Sequence, residues 1–195
     1  MATAFNDTER DAIREALQDA AWRHACGEGM RKTTVDDLAA EAGISKGAFY
    51  RFYDSKEALF LEVLDRFHRH VRQVAVTAMA ENAALPVRDQ ARLALREALR
   101  AMMIRPAARF LLEEGPLLMR RLPPEAARLH YQADSELILG VITGCGITLR
   151  TSLETANAII RLLFCSLITA EMVGPHYDDA LAALVDSACA QLIAE

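Results

Sequence analysis

Apolar positions in this chain recur every three or four residues almost from end to end, the period of a helix face rather than of a strand. Ile13, Leu17, Ala20 and His24 mark one such face, widened by Ala16, Ala21 and Ala25. Asn6 or Thr8 starts that helix as N-cap, with Glu9 and Asp11 in the first turn, where carboxylates suit the helix dipole. Gly27 and Gly29 stop it. A short helix follows with Val35, Leu38, Ala39 and Ala42 inward, capped by Thr34, with Asp37 completing a capping-box arrangement. Gly43 sits where a tight turn needs positive φ, and Ile44 supplies an apolar plug. Ser45 caps a second short helix through about Tyr50, with Phe49 as its inward anchor. Two short helices joined by a glycine turn predict a helix-turn-helix.

Ser55 then caps a long helix to roughly Asn82, striped by Leu59, Phe60, Val63, Leu64, Phe67, Val71 and Val74. Pro86 opens another helix, ended near Arg105 by Pro106, and Ala107 to Glu113 reads as a short piece stopped by Gly115-Pro116. Pro123-Pro124 begins a helix through Tyr131 to about Ile142. The pair Gly140 and Gly144 suits close helix packing and a frayed helix end. Thr151-Ser-Leu-Glu154 reads as a capping box for a helix to about Val173, where Gly174-Pro175 ends it. Asp178 or Asp179 starts the last helix, with Leu181, Leu184, Val185, Ala188 and Leu192 on one face. No period-2 run or internal repeat stands out, so the expected architecture is all-α.

Composition narrows the class. The chain has 195 residues, 52% hydrophobic and 25% charged, enough to bury a core without disulfides or metals. Cys26, Cys145, Cys165 and Cys189 are far apart, form no CxxC pair, and read as reduced thiols. The start of the chain does not read as a basic-then-apolar leader, and the apolar stretch Ala156 to Val173 is interrupted by Arg161 and Glu171. A cytoplasmic protein without a membrane span is expected. The net charge is −5, and residues 1–65, with 8 Lys/Arg against 13 Asp/Glu, carry all of it. A sequence-blind DNA coater would be basic; any duplex contact here must come from a local cationic face.

That face lies on the second short helix. Packing Phe49 inward turns Lys46, Gly47, Ala48, Tyr50 and Arg51 outward. Lysine donates to guanine acceptors, alanine touches a thymine methyl, and glycine lets the backbone come close, as a helix end in the major groove requires. The full segment from Thr33 to Leu59, TTVDDLAAEAGISKGAFYRFYDSKEAL, resembles the signature of the TetR family of bacterial transcriptional regulators, and with the preceding helix the resemblance covers about 55 to 60 residues. It implies an N-terminal three-helix DNA-binding domain (residues 1–54) and a helical ligand-binding and dimerisation domain (residues 55–195). It also implies that Tyr50 touches backbone or base, that Lys56 grips a phosphate at a helix N-terminus, and that Thr33, Thr34 and Ser45 add hydroxyl or backbone contacts. Arg51, where an aromatic is frequent, and the order Phe52-Tyr53 depart from the common pattern.

For the rest of the chain the resemblance implies a homodimer through the last two helices, a palindromic operator on double-stranded DNA, and repression relieved by a small-molecule effector, expected to be hydrophobic. The nearly all-round apolarity of Ile159, Ile160, Leu162, Leu163, Phe164, Leu167 and Ile168 calls for burial on two sides, as a dimer helix would have. Candidate effector contacts are Phe67, His70, Met102, Met103, Phe110, Tyr131, Phe164 and Cys165; Arg105 and Arg109 read first as surface residues and only second as cations for an anionic ligand. An enzyme is not expected, since HExxH, GxSxG and P-loop patterns are missing. No cofactor or metal is expected either: His68 and His70, two apart on one helix, point in different directions. The rival class is a helical small-molecule carrier without specific DNA recognition.

Overall fold

The computed structural model describes residues 5–104 and 107–194, leaving out the side chain of Arg109. The expected helix end at Arg105 and Pro106 and the two candidate cations Arg105 and Arg109 therefore lie outside what is described. Within the described residues the chain is helical throughout, with no strand. It forms two compact units. Met1–Phe67 and Arg105–Ala127 make up the first, His68–Ile104 and Arg128–Glu195 the second.

The first unit is set by its caps. Helix α1 (Asp7–Cys26) opens on a true capping box, with Asn6 Oδ1 accepting from the Glu9 N–H and Glu9 Oε2 accepting from the Asn6 N–H, each at 2.9 Å. Helix α2 (Val35–Glu41) opens on the Thr34–Asp37 box, and α3 (Lys46–Phe49) on Ser45, whose Oγ accepts from the Ala48 N–H at 3.2 Å. The turn between α2 and α3 carries Gly43 at φ +69°, a conformation that costs glycine little. The N-terminus of α4 (Lys56–Glu81) is capped by Ser55 through the Ala58 N–H at 3.1 Å. Each such cap contributes roughly 0.5–2 kcal/mol, which matters for helices as short as α2 and α3.

The stretch after residue 106 differs from expectation. Instead of a short helix broken at Gly115-Pro116, α6 (Ala107–Arg109) passes through a π turn (Phe110–Glu114) into α7 (Gly115–Arg121). Pro116 has no N–H to return to the preceding turn, and the backbone ahead of it widens rather than ending. This segment closes the first core: Leu17, Met30, Leu38, Phe49, Leu59, Phe60, Val63, Phe110 and Leu118 are all fully withdrawn from solvent.

In the second unit, the C-terminal part of α4 joins α5 (Val87–Met103), nearly all of α8 (Pro124–Gly144), α9 (Leu153–Ser166), α10 (Ala170–Val173) and α11 (Tyr177–Leu192). Helix α9 is capped by Ser152, whose Oγ accepts from the Thr155 N–H, not by Thr151 as its sequence reads. The expected unbroken helix to Val173 is interrupted by a 3₁₀ turn at Leu167–Thr169. There the Ser166 hydroxyl donates to the Leu163 carbonyl and the Thr169 hydroxyl to the Ser166 carbonyl, local bonds that compete with the helix ladder. Gly140 faces the Arg72 guanidinium, where an added Cβ would lie 3.9 Å from Nε, while Gly144 faces nothing within 4 Å. Close helix packing at both glycines is thus not what the structure has. Gly146, at φ +65°, turns the chain instead.

Candidate nucleic-acid interface and ligand cavity

Phe49 locks α3 to the first core, its ring edge-on to Tyr50 at 5.5 Å and tilted to Tyr53 at 5.9 Å. With that side buried, Lys46, Gly47, Tyr50 and Arg51 are exposed and Ala48 half-buried. Tyr50 is 50% exposed, unusual for a large ring with a buried neighbour. No atom crowds Gly47, so the backbone is open to close approach. Lys46 Nζ donates to Asp36 Oδ2 at 2.7 Å, a bond that holds the ammonium's pKa above its usual value. Both side chains are more than half exposed and the pair contributes little, so the Lys46 ammonium is free to exchange Asp36 for another acceptor. Arg51 lies over the Phe5 ring at 5.2 Å.

The hydroxyl-bearing candidates divide. Thr34 and Ser45 are exposed and act as caps, and the Thr34 hydroxyl donates to Asp37 Oδ2 at 2.6 Å, which with the Thr34 N–H holds the Asp37 carboxyl below its usual range. Thr33 is fully buried and its hydroxyl donates to the Gly29 carbonyl at 3.0 Å. Its side chain therefore presents nothing outward, and its observed work is to hold the loop before α2. Lys56 is half-buried, and its ammonium donates to the carbonyls of Met30 at 2.9 Å and Thr33 at 2.7 Å. An ammonium has three donors, so one remains for a phosphate.

The second unit holds a half-open cavity of about 280 Å³, near the lower end of the roughly 300–1,000 Å³ seen for ligand pockets. Most of its wall is aliphatic, from Val71, Ala75 and Met79 of α4 to Leu192 and Ile193 at the end of α11. Of the candidate contacts, Met102, Tyr131, Phe164 and Cys165 line it. The other four do not. Phe67 stacks on Trp22 at 5.6 Å and Phe110 meets the same indole edge-on at 6.2 Å, so both rings are core of the first unit. His70 and Met103 are exposed, turned off the cavity by helix periodicity. The polar wall residues His68, Arg72, Asp134 and Arg161 were not anticipated. His68 Nδ1 lies 2.7 Å from Asp134 Oδ1, and Arg161 donates to Ser135 Oγ at 3.1 Å while lying over Tyr131 at 5.6 Å. Burial alone would raise the Asp134 pKa, but the His68 hydrogen bond and the charges of His68, His130 and Arg161 outweigh it and hold the carboxyl below its usual range.

Residues 17–63, the span from the middle of α1 into α4, match the profile of the bacterial regulatory proteins of the tetR family. Over that segment the chain is similar to TetR-family proteins. EthR of Mycobacterium tuberculosis, an HTH-type transcriptional regulator, is 47% identical over 51 residues, 26% of this chain and 23% of EthR. Curated HTH-type transcriptional regulators are matched over about a third or less of their own length, so the chain's sequence likeness to them is partial. Solved TetR-family structures extend the likeness of fold to nearly the whole chain. A TetR-family protein of Mesorhizobium loti superposes with a TM-score of 0.70 at 18% identity, covering 94% of this chain and 96% of that one. FadR of Thermus thermophilus, a TetR-family repressor in complex with lauroyl-CoA, gives a TM-score of 0.60 at 20% identity, covering 90% of both chains.

The cavity-wall residues that the sequence does not signal are those whose partners stand on another helix. The i, i+4 pair His130 and Asp134 on α8 is visible in the sequence, but its partner His68 emerges only when α4 and α8 are packed.

Proposed function

We propose that this protein is a sequence-specific DNA-binding repressor that works as a homodimer and is released from a palindromic operator by a small hydrophobic effector. The observation that carries the reading is the two-sided third helix: Phe49 completely buried, with Lys46, Gly47, Tyr50 and Arg51 outward. In the complex, Lys46 and Arg51 read base edges, Ala48 and Gly47 permit close approach, and Tyr50 with Thr34, Ser45 and Lys56 fixes the register on the backbone. Thr33 contributes by shaping the loop. The cytoplasm is the compartment in which such a regulator operates.

Dimerisation through the last two helices is supported by their uncovered apolar side chains. Leu162 is 69% exposed, Ile168 56%, Met172 87% and Leu184 55%. The segment Leu153–Val173 is apolar and long enough to cross a membrane. Its 3₁₀ interruption, and Arg161 engaged with Ser135 and Tyr131, favour a protein partner instead. A two-fold pair sets its reading heads one helical turn of DNA apart, about 34–36 Å, or a multiple. The effector occupies the cavity lined by Met102, Tyr131, Phe164 and Cys165. Its resemblance to FadR makes an acyl-chain molecule a reasonable first ligand to try. A coupling of about 1–3 kcal/mol between cavity and head would lower operator affinity roughly 5- to 150-fold.

Fluorescence anisotropy with duplexes from the protein's own upstream region tests the reading. Lys46→Ala with Tyr50→Ala is expected to abolish preference for the cognate site while the melting temperature holds. Equal affinity of the unaltered protein for every duplex would refute specific recognition. A thermal-shift screen of hydrophobic ligands, followed by their effect on the DNA complex, tests induction; stabilising ligands that leave operator affinity untouched would refute it.

A further inference from the structure

Three donor side chains converge beside the cavity of the second unit. His68 comes from α4, and His130 and Asp134 stand one turn apart on the same face of α8. His68 Nδ1 is 2.7 Å from Asp134 Oδ1, His130 Nε2 is 3.4 Å from Asp134 Oδ2, and the three donor atoms lie within 4.8 Å of one another. The two imidazoles have centroids 5.3 Å apart. An ion bound through bonds of about 2.0–2.2 Å in tetrahedral geometry holds its ligands roughly 3.3 Å apart. The cluster needs only small side-chain adjustments to reach that spacing.

The surroundings supply a second reason. His130 is buried, whereas His68 and Asp134 border the cavity. The protein thus offers three ligands from one side and leaves the next coordination position toward the cavity, the form of an open site rather than of a closed, four-ligand one. Two imidazoles and one carboxylate suit borderline first-row ions; calcium and magnesium want oxygen throughout. We propose that His68, His130 and Asp134 bind a divalent transition-metal ion of the zinc type, with its exchangeable position open to the cavity. Binding replaces the hydrogen bonds that now join Asp134 to its histidines, and any proton on a ligating nitrogen passes to solvent. The site stands on its own geometry and is independent of what the DNA-reading head recognises.

The full chain, stripped of metal with a chelator and dialysed, is titrated with CoCl2 while the visible spectrum is recorded, and the bound ion is then competed with ZnCl2 by calorimetry. The expected result is one cobalt per chain with the ligand-field bands of a low-coordinate ion, displaced by zinc. His68→Gln and Asp134→Asn should each weaken binding more than about 100-fold, beyond the roughly 10- to 100-fold that loss of an outer-shell partner costs. His70→Gln, on the exposed side of α4, should leave it unchanged. Circular dichroism of the metal-free variants checks folding, and His68→Gln, at the cavity edge, retains a side chain of similar polarity. Failure to bind one ion per chain, or binding that His68→Gln leaves intact, overturns the proposal. A protein that binds cobalt as described yet prefers no operator leaves this site standing and removes the DNA reading alone.

Discussion

In the first unit Leu17, Met30, Leu38, Phe49, Phe60 and Phe110 are wholly withdrawn from water, whereas the second unit keeps a cavity of about 280 Å³ and exposes Leu162, Ile168, Met172 and Leu184. Both are built from amphipathic helices, but the first is richer in charged and aromatic residues than the second. They differ in how many apolar faces each helix carries relative to the neighbours available. Helices α1 to α3 and the first part of α4 each bury one stripe, and Phe110 and Leu118 from the segment after residue 106 close the core over them. Helix α9 is apolar on more sides than its own unit can cover, and α5, with Ala91, Ala94 and Ala98 at its inward positions, is too thin to fill the space before it. Small residues inside leave room for a guest; large ones outside call for a second surface. Closed and open construction therefore both occur within one short chain.

The contrast can be broken or sharpened by substitution. Phe49→Ala removes the anchor of α3 and should cost about 3–5 kcal/mol, seen as a lower urea midpoint together with loss of operator binding. Leu162→Glu puts a charge on the uncovered face of α9; light scattering behind size exclusion should find monomers where the unaltered chain gives dimers, and dimers unchanged would move the interface elsewhere. Next comes a matched pair. Ala21→Leu, in the filled first core, should destabilise by about 1–3 kcal/mol, while Ala94→Leu, on the cavity wall, should cost less than about 1 kcal/mol and weaken effector binding. Equal losses of stability would show that the second unit is packed as tightly as the first.

The smallest effect concerns Glu41, whose carboxyl Arg23 and then His24 hold below its ordinary value of 4.5. A depressed folded-state pKa stabilises above the unfolded value and is lost as pH falls through the folded one. Glu41→Gln should therefore lower the neutral-pH melting temperature slightly, within the 0–1 kcal/mol or so of exposed pairs, and the difference should vanish in acid below the folded-state value.

What was legible in the sequence was local. Asn6, Thr34, Ser45 and Ser55 cap helices because an oxygen two or three residues ahead of an N–H needs no knowledge of the rest of the chain, and Gly43 announces its turn for the same reason. Thr151 and Ser152 show the limit: two adjacent hydroxyls compete, and the backbone chose the second. The candidate cavity was half legible. Met102, Tyr131, Phe164 and Cys165 reach its wall, but an aromatic such as Phe67 or Phe110 looks the same on a cavity wall as against Trp22. That His68 and not the candidate His70 borders the cavity follows from a rotation of α4 that only its packing fixes. Arg161 read as an interruption of an apolar run, and proved to be part of the cavity's polar end.

Lys56 is both the first residue of α4 and the donor to two carbonyls in the loop ahead of α2. The start of α4 is thereby tied by two hydrogen bonds to the loop from which α2 begins. Any modification that neutralises this ammonium would remove both of those bonds at once.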